Sequence, residues 1–261
     1  MKKRIFSLFA IVGLAMATTL SLSMLTACDD DDDDDYLTET VDDDTDGDSS
    51  SDADSSSDDT TDDSSSDADS TFDSDSSITT VGEAIDLGLS VKWADINIGA
   101  TLPADYGNYY AWGETTTKNS YRAGNSETYD KSGFTDISGT YTDAATRNWG
   151  GSWRMPTEAK FNELVDNCTW TWITQEDSDD QTINGYKVEG TSGNSIFLPA
   201  AGCYENSSLK YEGKCGKYWS STALDGSINY FTYALNISSS QILVYNDIAR
   251  YIGKSVRPVS E

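Results

Sequence analysis

Histidine is absent from all 261 residues, and that absence removes more chemistry than any other feature of the chain. No Ser-His-Asp arrangement, no imidazole base and no His-bearing zinc site can be built from it. Positive charge is scarce: 17 Lys and Arg stand against 45 Asp and Glu, for a net charge of −28. Nucleic acid is excluded as a partner, because binding it rests on cations that neutralise phosphates. The four prolines fall at positions 103, 156, 199 and 258, and none sits in the Glu-Pro-Asn or Gln-Pro-Asp loop of calcium-dependent sugar binding. There is no Gly-x-Ser-x-Gly elbow. Gly253-Lys254-Ser255 ends like a phosphate loop, but Ile248 stands where its first glycine belongs. The acid pairs Glu176/Asp177 and Asp179/Asp180 lie in a polar stretch with nothing apolar to raise a pKa. The expectation is a protein that is not an enzyme, with no cofactor and no metal.

What charge there is comes in three blocks. Residues 1–28 carry three basic groups and no acid, residues 29–77 carry 23 acids and no base, and residues 78–261 carry 22 acids and 14 bases. A cationic leader, a polyanionic spacer and a mildly acidic globular part follow one another.

The leader opens on Met1-Lys2-Lys3-Arg4 and continues through a mostly apolar run from Ile5 to Ala17 to Leu25-Thr26-Ala27-Cys28. A positive start, an apolar run and small residues before a cut describe an export signal. The alternative, a retained membrane anchor, needs about twenty apolar residues, and Thr18–Met24 is too polar for it. Leu-Thr-Ala-Cys resembles the bacterial lipobox, which implies that Cys28 is acylated and becomes the first residue of the mature protein. Two or more chains hold a membrane stably, at about 0.8 kcal/mol per buried CH₂.

Seven aspartates, Asp29–Asp35, follow directly, and Asp, Ser and Thr dominate to Ser77. Such a segment has too little apolar surface to offset its ordering entropy, so the spacer is expected to be a disordered linker. Fully extended, its 49 residues reach roughly 160 Å at about 3.3 Å each. The acidic run resembles the surface-export signal of Bacteroidetes lipoproteins, which implies an outer-membrane anchor facing outward. Asp59-Thr60-Thr61 and Asp69-Ser70-Thr71 resemble the short O-glycosylation site of that phylum, with Thr60 and Ser70 as acceptors. Asp42-x-Asp44-x-Asp46-Gly47 fits half a calcium loop, but Ala53 stands where the bidentate Glu belongs.

From Ile78 the composition changes. All seven Trp lie beyond it, with 14 Tyr and four Phe, in 184 residues, enough for one domain with a core. Pro156-Thr157 starts the clearest helix, with Thr157 as cap and Phe161, Leu164 and Val165 on one face through Asn167. A second runs over Asp143–Asn148. Strands are expected at Ala84–Trp93, Tyr186–Val188, Ser195–Leu198, Lys217–Ser220, Tyr230–Asn236, Ile242–Tyr245 and Ser255–Val259, between Gly, Asn and Ser turns. The fold class is α+β, short strands and loops with one or two helices, without βαβ alternation.

Six ordered blocks carry a resemblance. They are Leu87-Gly88-Leu89-Ser90-Val91-Lys92-Trp93-Ala94 with Asn97-Ile98-Gly99-Ala100, Tyr106 to Glu114, Trp149 to Thr157, Ile196 to Gly202, Tyr218-Trp219-Ser220-Ser221, and Ser255 to Val259. Their order and wording resemble the Fibrobacter succinogenes major paralogous domain, found in Bacteroidetes lipoproteins, over about residues 84–259. The resemblance implies a C-type-lectin-like domain, distantly similar to formylglycine-generating enzymes, over residues 78–261. It implies no established activity. Ile96 stands where many members carry a cysteine, so a disulfide from that position is lost.

The remaining residues divide into structural and binding candidates. Arg154 and Arg257, each beside a proline in an apolar block, are expected to be buried and paired, with Glu114 as a partner. An exported chain meets oxidising conditions, so Cys203 and Cys215 are expected to close a short disulfide loop, leaving Cys168 as a small apolar residue. Tyr106, Tyr109, Tyr110 and Tyr121 are the candidates for stacking on a ligand, with half or more of them expected in the core. Asn246-Asp247 is one fragment of a calcium-lectin motif and equally a turn tip. The sequence thus implies a surface-anchored, non-catalytic lipoprotein that binds an extracellular glycan or protein. An enzyme on the formylglycine-generating scaffold and a coat component without a discrete ligand are the alternatives.

Overall fold

The structure, a computed structural model, describes residues 80–224, 230–247 and 249–261. Cys28, Thr60 and Ser70, and with them the expectations of a lipid anchor, a disordered linker and linker glycosylation, lie outside the described residues. Within them the α+β composition is found, with strands predominating.

In chain order the elements are β1 (Ala84–Ile85), β2 (Lys92–Ala94), α1 (Ala144–Trp149), α2 (Glu158–Asn167), β3 (Thr169–Glu176), β4 (Thr182–Glu189) and β5 (Ser195–Pro199). There follow β6 (Cys203–Glu205), β7 (Ser208–Lys210), β8 (Cys215–Ala223), β9 (Thr232–Ser238), β10 (Gln241–Asp247) and β11 (Val259–Ser260). They pair as three three-stranded sheets, ordered β1-β2-β11, β3-β4-β5 and β8-β9-β10, and a β6-β7 hairpin. The first sheet joins the two ends of the domain.

Both helices start where side chains can cap them. The Thr157 hydroxyl accepts from Lys160 N (3.3 Å), and Phe161 and Leu164 are buried, as the apolar spacing predicts. At α1 the buried Asp143 carboxylate accepts four backbone N–H bonds. Two come from the helix, Ala145 (2.7 Å) and Thr146 (3.1 Å), and two from Gly139 (2.8 Å) and Met155 (2.9 Å). One side chain thereby ties a turn, a cap and the Trp153–Met155 segment together.

Apart from the short β6–β7 hairpin, which was not expected, the strands depart from expectation in three places. The stretch expected to run unbroken from Ala84 to Trp93 splits into β1 and β2, because Gly88 turns the chain at φ +76°. The stretch at Ser255–Val259 ladders only from Val259. Ser255 and Lys254 instead make single bridges to Tyr218 and Tyr110, and Pro258 has no N–H to continue a ladder. The eight-residue β3 was not expected, although Thr169-Trp170-Thr171-Trp172 alternates with period two; it pairs with β4 in unbroken register from Thr169↔Glu189 to Glu176↔Thr182.

Two apolar cores result. One gathers Trp112, Trp149, Trp219, Tyr110 and Met155 against α1. The other gathers Trp93, Phe161, Leu164, Tyr186, Tyr218 and Leu235 between α2 and the two larger sheets. Two of the buried indoles find carbonyls: Trp112 Nε1 donates to Ser220 O (2.8 Å) and Trp219 Nε1 to Tyr110 O (2.7 Å). Arg250 is buried with its guanidinium 4.4 Å over the Trp112 ring, and burial pulls its pKa down to about 10.

The two arginines expected to pair with Glu114 do otherwise. Arg257 is fully buried, but its partners are oxygens of uncharged groups. Nε donates to Asn97 Oδ1 (2.8 Å), one terminal nitrogen to Ala94 O (3.0 Å) and Asp95 O (2.7 Å), and the other to Phe197 O (2.9 Å). Arg154 is not buried; it reaches the chain's last residue, Glu261, at 2.7 Å. Glu114 pairs with Lys118, four residues along its own loop, and accepts from Glu127 N at 2.8 Å. A carboxylate takes the cation and the N–H that its own loop supplies before a distant strand can offer one.

Candidate functional site

Three of the four candidate tyrosines belong to the core. Tyr109, Tyr110 and Tyr121 expose 8%, 1% and 2% of their surface. The Tyr109 hydroxyl donates to Ala201 O (2.5 Å) and that of Tyr121 to Tyr109 O (2.6 Å), so neither ring face nor hydroxyl is offered to a ligand. Gly253 shows how tightly Tyr121 is held: a Cβ there would come within 2.9 Å of the ring. Tyr106 is half-buried between two small apolar clusters, and burial, with Glu212 and Asp177 nearby, pushes its phenol up to about 12.

The expected Cys203–Cys215 bridge is not formed. Gly202 and Gly216 form a parallel bridge, which sets Cys203 level with Lys217, two residues past Cys215. Cys168 sits at the end of α2, where burial and the nearby Glu163 raise its thiol pKa. Asn246 lies near the end of β10, opposite Tyr233, in a regular ladder rather than at a turn tip. Among the described residues no three His, Cys, Asp or Glu side chains gather as a metal site would need.

The structure instead brings together residues that the sequence does not mark. On β3-β4-β5 one face carries Trp170, Trp172, Tyr186, Val188, Ile196 and Leu198 into the core. The opposite face carries Ile173, Gln175, Lys187, Ser195 and Phe197, in the register Thr171↔Lys187↔Phe197 and Ile173↔Gly185↔Pro199. Over this face lies a cavity of about 170 Å³, walled on its far side by Asp95 and Pro103. Ile173 and Phe197 form an apolar floor; Asp95, Gln175, Lys187 and Ser195 place a carboxylate, an amide, an ammonium and a hydroxyl around it. Gly185 lets the Phe197 ring lie close on β4, since a Cβ there would come within 2.6 Å of it.

Two side chains hold the walls. Arg257, from within the core, donates to Asp95 O and Phe197 O and so ties two sides of the groove to one buried group. Asp105 holds the Pro103 turn. Its Oδ2 accepts from Thr101 N (2.9 Å), Thr101 Oγ1 (2.7 Å) and Leu102 N (2.9 Å), and its Oδ1 from Ser178 N (2.8 Å) in the β3–β4 turn. Burial alone would raise the Asp105 pKa, but these four bonds outweigh it and lower the pKa to about 2.

No family model, curated protein or solved structure matches the chain. An apolar floor of this size with mixed donors and acceptors at its rim suits non-covalent recognition of a single ring or side chain. The sequence does not show it because its residues come from five separate segments. The period-two pattern of β3 was the one local signal, and it marks where Ile173 and Gln175 face.

Proposed function

We propose that the protein is a lipoprotein, anchored through acylated Cys28 to the outer face of the outer membrane, whose globular domain binds an extracellular glycan or protein without catalysis. The observation that carries the binding part is the groove over β3-β4-β5, with its apolar floor and its four polar groups of different kinds. The anchoring part rests on the leader, the lipobox and the aspartate run after it. The six sequence blocks place the domain, in this reading, in the Fibrobacter succinogenes major paralogous family with its C-type-lectin-like fold. The mostly β architecture with few helices and long loops agrees with that assignment. Against the enzymatic alternative stand the lack of histidine and the position of the thiols: Cys203 is buried and the Cys168 pKa is raised, so neither is poised as a nucleophile.

The test is binding of the full chain to a glycan array and to extracellular proteins, beside the variant Gln175→Ala/Lys187→Ala. Both side chains sit at the groove rim and neither is core, so the melting temperature should hold while binding falls. Retained binding by the variant would move the site elsewhere. No binding by the wild-type chain would favour the inert coat.

A further inference from the structure

We propose that the open edge of β3 takes up an extended peptide of a partner protein as an added strand, its apolar side chains on Trp170 and Trp172 and its basic end against the β3–β4 turn. This rests on the reading of the β3-β4-β5 sheet as the binding face and names the class of ligand.

The edge itself is the first ground. β3 is the outermost strand of its sheet among the described residues. Natural edge strands are kept from pairing by brevity, bulges, proline or inward-pointing charge, lysine above all. β3 has eight residues, no bulge in its register with β4, no Pro, no Gly and no Lys, and its one charge is Glu176 at the end. The second ground is aromatic. Trp170 and Trp172 pack edge-on against Tyr186 at 5.4 and 4.9 Å. Tyr186, one strand further in, is 6% exposed, whereas both indoles stay half-buried, with no described strand beyond β3 to cover their outer sides. A strand added at that edge would cover them with every second side chain. Its remaining side chains would stand about 5 Å from Ile173 and Gln175, at the mouth of the groove.

Charge decides between occupants. The turn after β3 reads Glu176-Asp177-Ser178-Asp179-Asp180. The Asp177 carboxylate accepts from Asp179 N and Gln181 N and so shapes the turn, while Glu176, Asp179 and Asp180 are exposed. No Lys or Arg among the described residues forms an ion pair with them. A second copy would bring the same net charge of −28 to the contact. A segment ending in Lys or Arg complements the turn instead.

The full chain is screened against a display library of random dodecapeptides and, in parallel, against a glycan array. Enriched peptides are expected to alternate apolar residues, to avoid proline and to carry Lys or Arg at one end. In synthetic versions, N-methylation of every second backbone nitrogen should weaken binding about tenfold in one parity and leave it in the other, the mark of a strand ladder. Asp179→Lys/Asp180→Lys should weaken binding about tenfold with an unchanged melt, and peptides with Glu in place of the basic residue should restore it. Peptides insensitive to N-methylation overturn the added strand. Glycans retained with no peptide enriched overturn this inference and leave the groove reading standing; neither probe retained overturns both. A dimer in light scattering that Thr171→Lys dissociates would show a second copy on the edge and also overturn the inference.

Discussion

Arg257 holds oxygens of four residues with one guanidinium and no solvent contact, and burial pulls its pKa down to about 10, which keeps it charged at neutral pH. Arg257→Met should lower the unfolding free energy by about 3–5 kcal/mol, since each carbonyl left unsatisfied costs about 1–3 kcal/mol. Arg257→Lys should recover less than half, because an ammonium cannot spread its donors over this fork. Urea melts of the three proteins check this, and an effect under about 1 kcal/mol would show that water replaces the guanidinium. Asp105 makes a pH prediction. Its folded pKa lies below the unfolded value of about 3.9, so the stability it contributes is present above that pH and is lost as pH falls toward about 2. Thermal melts between pH 5 and 2 should show that loss, and Asp105→Asn should flatten it. The sequence offered Asp105 only as one more acid among 45; its role appears when Ser178 comes within 2.8 Å.

Elements differ in how far local pattern decided them. The helix α2 was legible because its cap, its 3.6-residue spacing and its end lie within eleven residues. The long strand at Ala84–Trp93 was misread because a glycine inside an apolar run can be a pleat or a turn, and only the packing of Leu87 into the core chose the turn. The three-residue β6 and β7 are too short for any periodicity to show. Burial by element also ranks the tryptophans. Trp153, in the Gly-Gly-Ser-Trp-Arg block, is half-buried at a T-shaped contact of 5.1 Å with Trp149, while Trp219 on β8 is fully buried. Trp219→Ala should therefore cost about 3–5 kcal/mol and Trp153→Ala clearly less. Denaturant midpoints of the two variants measure the order, and equal losses would show that Trp153 is as enclosed as Trp219.

For the whole molecule the predictions concern attachment. Cys28→Ser should release the protein from membranes or leave its leader uncleaved, as fractionation and mass spectrometry of the amino terminus would show. A membrane-bound, normally processed variant would exclude acylation at Cys28. Replacing Asp29–Asp35 with Ser should turn the protein to the periplasmic side, read by loss of protease access on intact cells. Unchanged access would remove the export role of the aspartates.

Sequence alone determined what depends on composition and short range: the three charge blocks, the chemistry that the lack of histidine excludes, the two helices with the Thr157 cap, and the weight of aromatic residues after Ile78. Only the tertiary structure decided which aromatics face outward, what Arg257 and Glu114 hold, and that Cys203 and Cys215 stay apart. It alone assembled the groove, whose walls come from residues 95, 103, 173–175, 187 and 195–197. The reason is range. A cap or a charge run is read within one turn of chain, whereas partner choice in a small-sheet domain depends on register between strands far apart in sequence, and one residue of slip exchanges the buried face for the exposed one.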